Sequence, residues 1–229
     1  MIEALIFDLD DTLYPEQDFV ASGYRAVAQH VREHYGCDYK ISLSAMMTAF
    51  HSLGREKVFP SLLARFPQIP IQLDELVAVY RSHDPAINLF PGYSELLKDF
   101  SRQYRLGMIT DGLPSVQERK VKALGLGSVI EKILYTWEYG SEKQKPHPLS
   151  FSLMLEALGS SAESALFVGD NPDKDCRGAH SVGMKCAEIR NPEMRPDRSD
   201  SVARDIPEFV ISTLFQLPQI LSQISQDGL

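Results

Sequence analysis

Ala4-Leu5-Ile6-Phe7-Asp8-Leu9-Asp10-Asp11-Thr12-Leu13 lies near the start of the chain. Four apolar residues in a row, stopped abruptly by a carboxylate, suit a strand buried on both faces of a parallel sheet. Runs of the same kind recur at Leu106–Ile109, Ile133–Tyr135, Leu166–Val168 and Phe209–Ile211. Helical stripes lie between them. Tyr93, Leu96, Leu97 and Phe100 share one face; so do Val116, the stem of Lys120, Val121 and Leu124, with Gly125 as the stop. Phe151, Met154, Leu155 and Leu158 form a third stripe, stopped by Gly159. This alternation predicts an α/β fold with a doubly wound parallel sheet.

Residues 15–88 break the rhythm. Val20, Tyr24, Val27, Val31 and Tyr35 follow helical spacing, as do Met46, Met47, Phe50 and Leu53, then Leu73, Leu76, Val77 and Tyr80. No strand pattern interrupts them, so the segment reads as an α-helical insertion after the first strand. Pro85 and Phe90-Pro91-Gly92 mark the return. The expected division is a core of 1–14 and 89–229 and a helical unit of 15–88.

The chain has 229 residues, 23 basic and 31 acidic, for a net charge of −8. That length buries an ample apolar core, and the balance excludes a general nucleic-acid binder, which needs a basic surface. Cys37, Cys176 and Cys186 form no CxxC pair. This predicts reduced thiols rather than a disulfide framework or a zinc site. The apolar stretch Ala4–Phe7 is too short for a secretory leader, and no 18-residue apolar window spans a membrane. A soluble cytoplasmic protein with neither membrane nor nucleic-acid partners is the expectation.

Four constellations carry chemistry. Asp8 and Asp10 are two apart at a strand end and project to one side if the chain stays extended. In a doubly wound sheet that end opens onto the ligand crevice. Paired carboxylates repel, so they hold a cation or share a proton. The same residues also suit an Asp-rich turn capped by Thr12 or Asp11. Gly169-Asp170-Asn171-Pro172-Asp173-Lys174-Asp175 repeats the pattern after Ala165–Val168. Asp8 and Asp170 together supply hard oxygens of the kind Mg²⁺ prefers. Thr110-Asp111-Gly112 follows a third strand, where a hydroxyl and backbone N–H groups suit phosphate oxygens or a plain cap. In Lys143-Gln144-Lys145-Pro146-His147-Pro148, a lysine beside prolines gives a point charge for a phosphoryl oxygen, or an ordinary solvated one.

The order of these motifs resembles the haloacid dehalogenase (HAD) superfamily. The carriers are Asp8-Leu9-Asp10-Asp11-Thr12-Leu13, Thr110 after a strand, Lys145-Pro146, and Gly169-Asp170 with Asp175 five residues on. The resemblance spans nearly the whole chain, and the insertion resembles the helical type I cap of the subfamily I phosphatases. It implies a Rossmann-like core, a small phosphorylated metabolite such as a sugar phosphate or nucleoside monophosphate as substrate, and Mg²⁺ as cofactor. By the same resemblance Asp8 is the nucleophile that forms an aspartyl-phosphate. Asp10 is the acid and base, and its main-chain carbonyl joins Asp8 and Asp170 on the metal. Asp175 orients the metal shell. Thr110, Lys145 and the N–H groups of Leu9 and Asp111 hold the phosphoryl.

Lys143 competes with Lys145 for its role; the prolines after Lys145 favour the latter. His147 reads as an exposed loop histidine. His51, Arg55 and Lys57 read as a solvated charged face. Cys176 reads as a buried structural thiol. Asp10 separates a phosphatase from the dehalogenases of the same superfamily, which lack an acid there. A phosphomutase shares Asp8, Asp10 and the metal site and is the nearest rival. A non-catalytic binding protein on this fold is the more distant one; it should have lost Asp8, Asp10, Lys145 or Asp170.

Overall fold

The computed structural model describes residues 1–191 and 206–227. Among these, two compact units form. One is built on Met1–Pro15 and the described residues from Asn88 on, the other on Glu16–Ile87.

The first unit holds six strands: β1 (Ala4–Phe7), β2 (Arg105–Thr110), β3 (Lys132–Tyr135), β4 (Ala165–Gly169), β5 (Lys185–Ile189) and β6 (Phe209–Ile211). They form one sheet in the order β3-β2-β1-β4-β5-β6, with every pairing parallel. The chain winds outward from β1 through β2 to β3, then returns to β4 on the other side of β1. This reversal opens a crevice at the carboxyl ends of β1 and β4. Phe7 pairs with Met108 on one flank and Val168 on the other, so β2 runs two residues and β4 one residue past the end of β1. The run Lys185–Ile189 had no sequence reading as a strand, because Lys185 and Glu188 interrupt its apolar pattern; Glu188 is buried and tied to Arg190 at 2.7 Å.

Alternation sends Ala4, Ile6, Ala165 and Phe167 to one face of the sheet. There they meet Phe151, Met154 and Leu158 of a helix at Pro148–Leu158 and Ala179 of another at Asp175–Ser181. The first of these starts with proline at its first turn and ends at Gly159 in the left-handed region (φ 56°), as its stripe predicts. A third helix, Tyr93–Ser101, packs on β2. Its Tyr93 hydroxyl accepts the Leu214 N–H at 3.0 Å, tying it to the segment that leads into the last helix, Leu217–Asp227.

The sequence expectation of reduced thiols is corrected in one place. Cys176 and Cys186 are disulfide-bonded, with Cα atoms 5.2 Å apart, joining the helix Asp175–Ser181 to β5. The pair escaped the spacing rules because helix-to-strand packing, not a CxxC turn, brings the thiols together. Cys37 is free and buried.

The second unit is helical: Glu16–Tyr35, Tyr39–Leu53, Val58–Arg65 and Leu73–Ser82. Val20, Tyr24, Val27 and Val31 of the first helix are buried against Met46, Val58, Leu62 and Leu76, one or more from each of the others. Asp38 starts the second helix by accepting the Ile41 N–H at 2.9 Å. Val58–Arg65 is a helix that the stripes did not reveal, since eight residues give barely two turns of periodicity. Arg55 is exposed, as a solvated face requires, and pairs with Glu16 through its two terminal guanidinium nitrogens at 2.8 and 2.5 Å.

Candidate active site

The sheet brings the sequence-predicted residues of the first unit to one edge. Asp8 follows β1 directly, and its N–H still donates to Val168 O at 2.9 Å, so the strand geometry carries through it. The chain then turns. Leu13 N–H returns to Leu9 O at 3.0 Å, and Asp11 takes a left-handed φ of 56°. An aspartate tolerates that region better than most residues. Asp10, just before that turn, makes its own set of side-chain contacts.

Asp8, Asp170 and Asp175 form a carboxylate cluster, with one oxygen of each within 4.8 Å of the others, all buried. Asp170 follows β4, and Asp175 begins the next helix. Gly169, the last residue of β4, makes room for Asp175: a Cβ there would collide with the Asp175 carboxylate. Asp175 Oδ2 accepts the Asn171 N–H at 2.9 Å, fixing the loop.

Lys145 enters this cluster. Its Nζ donates to Asp8 Oδ1 at 2.5 Å and to Asp175 Oδ1 at 2.7 Å, and the residue is only 4% exposed. Its own N–H donates to Asp111 Oδ1 at 3.0 Å, which also accepts from the Thr136 hydroxyl at 2.8 Å. Asp111, at the end of β2, therefore holds the lysine loop in place. Lys174 lies 3.3 Å from its other oxygen. Lys143 points elsewhere, 3.3 Å from His147 Nε2. His147 is half-buried rather than exposed, and its Nδ1 accepts the Leu149 N–H at 3.2 Å to start a helix.

Asp10 belongs to a second network. Lys120 Nζ donates to both of its oxygens, at 2.8 and 2.9 Å. Gln117 Nε2 donates to Asp10 Oδ2 at 3.1 Å and to Thr110 Oγ1 at 2.5 Å. The Tyr14 hydroxyl donates to Asp10 Oδ1. These three partners had no functional reading in the sequence. The signal was a lysine on the apolar face of the helix Pro114–Ala123, one turn after a glutamine.

The electrostatics differ between the two aspartates. Burial pushes the Asp8 carboxyl well above the usual carboxylate range; Asp175 and Asp170 push the same way, against Lys145. Burial acts likewise on Asp10, but the Lys120 ammonium and the hydrogen bonds from Lys120, Tyr14 and Gln117 overcome it and hold Asp10 below its ordinary value. Burial would lower Lys145, yet Asp175, Asp8 and Asp111 together keep it above the normal lysine range.

Three carboxylates against one ammonium leave the buried cluster two charges negative. Uncompensated buried charge is costly. A divalent cation restores neutrality, and the all-oxygen donor set suits Mg²⁺ rather than a soft metal. The site thus fits the metal, with Asp8 and Asp170 as its side-chain carboxylates and Asp175 shared with Lys145.

Comparison with known proteins identifies the family. Residues 5–189 match the model of the haloacid dehalogenase-like hydrolase family. A glyceraldehyde 3-phosphate phosphatase of Methanopyrus kandleri is 28% identical over 99% of this chain and 100% of its own. A ribulose-1,5-bisphosphate 5-phosphatase of Halopiger xanaduensis is 28% identical over 97% and 100%. Among solved structures, a HAD-hydrolase from Bacillus subtilis bound to magnesium superposes with a TM-score of 0.67 at 23% identity, covering 96% of this chain and 98% of that one. The chain belongs to the haloacid dehalogenase-like hydrolase family.

Proposed function

We propose that this hydrolase is a magnesium-dependent phosphatase that cleaves the monoester of a small phosphorylated metabolite through an aspartyl-phosphate on Asp8. The observation that carries the reading is Lys145, tied at once to Asp8 and Asp175 inside the cluster completed by Asp170. Asp8 Oδ attacks phosphorus as the ester P–O bond breaks, and Asp10, which takes up a proton when the negatively charged phosphoryl group enters beside it, gives that proton to the leaving oxygen. Asp10 then takes a proton from the water that attacks the aspartyl-phosphate, which releases inorganic phosphate and restores the Asp8 carboxylate. Lys145, the Thr110 hydroxyl and the N–H groups of Leu9 and Asp111 hold the phosphoryl oxygens. Bound by Asp8, Asp170 and the Asp10 carbonyl, Mg²⁺ supplies charge neutralisation and Lewis acidity.

Both relatives described above are named for sugar phosphates, which supports a sugar phosphate over a nucleoside monophosphate as substrate. The test is phosphate release from a panel of sugar phosphates and nucleoside monophosphates, with Mg²⁺ and with EDTA, for wild type and Asp8→Asn. Release that requires the metal, favours sugar phosphates and vanishes in Asp8→Asn is the expected result. Turnover that survives in Asp8→Asn would overturn the nucleophile assignment; release unaffected by EDTA would overturn the metal.

A further inference from the structure

The Asp10 carboxylate receives four donated contacts from three side chains: Tyr14 and Lys120 on one oxygen, Lys120 and Gln117 on the other. Lys120 and Gln117 sit three residues apart on the helix that follows β2, so both reach back toward the strand end from one face. They are almost completely buried, at 4% and 2% exposure. Burying an ammonium at a helix face is costly unless its partner fixes it. Here the partner is the carboxylate assigned to proton transfer, and Gln117 also holds the Thr110 hydroxyl with the same amide nitrogen.

We infer that Lys120 and Gln117 are positioning residues, which fix the Asp10 carboxylate and the Thr110 hydroxyl at one spacing so that proton delivery and phosphoryl binding meet on the same ester. The inference rests on the phosphatase reading and on the acid role of Asp10. A carboxylate whose two oxygens are both engaged by fixed donors has few orientations left. A misplacement of about 1 Å is enough to cost ~10²-fold in rate. Gln117 is the coupling element. Its two amide hydrogens go to the two groups, so moving one moves the other.

A purely structural role would depress the turnover of every substrate alike. A positioning role that acts mainly through Asp10 should weigh most heavily where the leaving oxygen needs a proton. The experiment compares two esters, an unactivated alkyl sugar phosphate and p-nitrophenyl phosphate, whose leaving group departs as a stable anion. The readout is kcat/KM, which reports the steps up to formation of the aspartyl-phosphate and so isolates leaving-group protonation.

For Lys120→Met the expected loss is about 10²-fold on the alkyl ester, within the range of a general acid. The expected loss on p-nitrophenyl phosphate is under about threefold. Lys120→Arg should recover part of the alkyl activity. Asp10→Asn combined with Lys120→Met should be no worse than Asp10→Asn alone, because both changes remove one function. Gln117→Leu leaves the ion pair in place and carries the test if Lys120→Met does not fold; because Gln117 also holds Thr110, which binds the phosphoryl of either ester, a small loss on p-nitrophenyl phosphate and a loss about tenfold greater on the alkyl ester are expected. Equal losses on both esters, no loss on either, or additive losses in the double variant would overturn the inference while leaving the phosphatase reading intact. A wild type that hydrolyses neither ester would overturn that reading, and this inference with it.

Discussion

Lys145 Nζ sits 2.5 Å from Asp8 Oδ1 and shares its remaining reach with Asp175, 2.7 Å away. The nucleophile is therefore aimed by a side chain anchored on two sides: its ammonium by two carboxylates, its backbone N–H by Asp111. A charge held this way needs little rearrangement when a phosphoryl group arrives. It also makes the lysine a structural element, since both of its partners are buried.

Replacing Lys145 should therefore damage activity and stability together. Lys145→Ala leaves Asp8 and Asp175 facing each other without compensation, which typically costs about 3–5 kcal/mol. Loss of one charge-stabilising donor should reduce kcat by roughly 10²–10³-fold. Lys143→Ala removes only a neighbour of His147 and should stay within ~0.5 kcal/mol of wild type in unfolding experiments. Phosphate release and denaturant unfolding on both variants check the ranking; the reverse order would move the role to Lys143.

Asp170 and Asp175 should separate in their response to metal. Asp170→Asn removes a carboxylate from the cluster without touching Lys145, so the Mg²⁺ concentration for half-maximal rate should rise by about tenfold or more, with much of the rate recovered at saturation. Asp175→Asn weakens the hold on Lys145 as well and should lose rate even at saturating Mg²⁺. Magnesium titrations of initial rate decide this. Identical curves for the two variants would show that Asp175 has no separate part.

Much of this architecture was legible in the sequence because it rests on abrupt local signals. Runs such as Ala4–Phe7 stop at a carboxylate, and the same event at Asp170 identified the two strand ends that meet. What stayed hidden depends on partners chosen in three dimensions. Lys120 counted as an apolar stem because helical periodicity records which face a residue occupies, not where its ammonium ends. Strand spacing put Asp10 on the side of Asp8, but β1 ends at Phe7, and no spacing rule names Lys120, Gln117 and Tyr14 as the partners of Asp10. The thiols of Cys176 and Cys186 are ten residues apart, and only the packing of a helix on β5 makes them a pair.

That pairing has a direct chemical consequence. Denatured without reductant, the protein should expose one alkylatable thiol, Cys37, and three after treatment with a dithiol. Closing a loop of this length stabilises the fold by about 2–3 kcal/mol in the chain-entropy account. Reductant should lower the melting temperature of wild type and leave Cys176→Ser unchanged. Mass spectrometry after alkylation counts the thiols; three without reductant would mean the bond does not form.

Glu75 should give the helical unit a distinct acid sensitivity. It accepts from the Tyr35 hydroxyl at 2.6 Å and lies 2.6 Å from His30 Nε2, joining the first and last helices of that unit. The Tyr35 hydrogen bond, and then that of His30, holds its carboxyl below the ordinary glutamate value. A group depressed in the folded state binds its proton more weakly there than in the unfolded chain. Its stabilising contribution is therefore complete above the unfolded value, ~4.3 for glutamate, and is lost as pH falls through the lower folded value. Glu75→Gln keeps an acceptor for Tyr35 but removes the titration. At neutral pH the variant should be less stable by about 1 kcal/mol, because the site is partly solvated. Between about pH 5 and pH 3 the difference should shrink toward zero as wild type loses the same contribution. Thermal unfolding of both proteins across that range, followed by circular dichroism, measures the gap. A gap that stays constant with pH would show that Glu75 stabilises by packing and not by its charge.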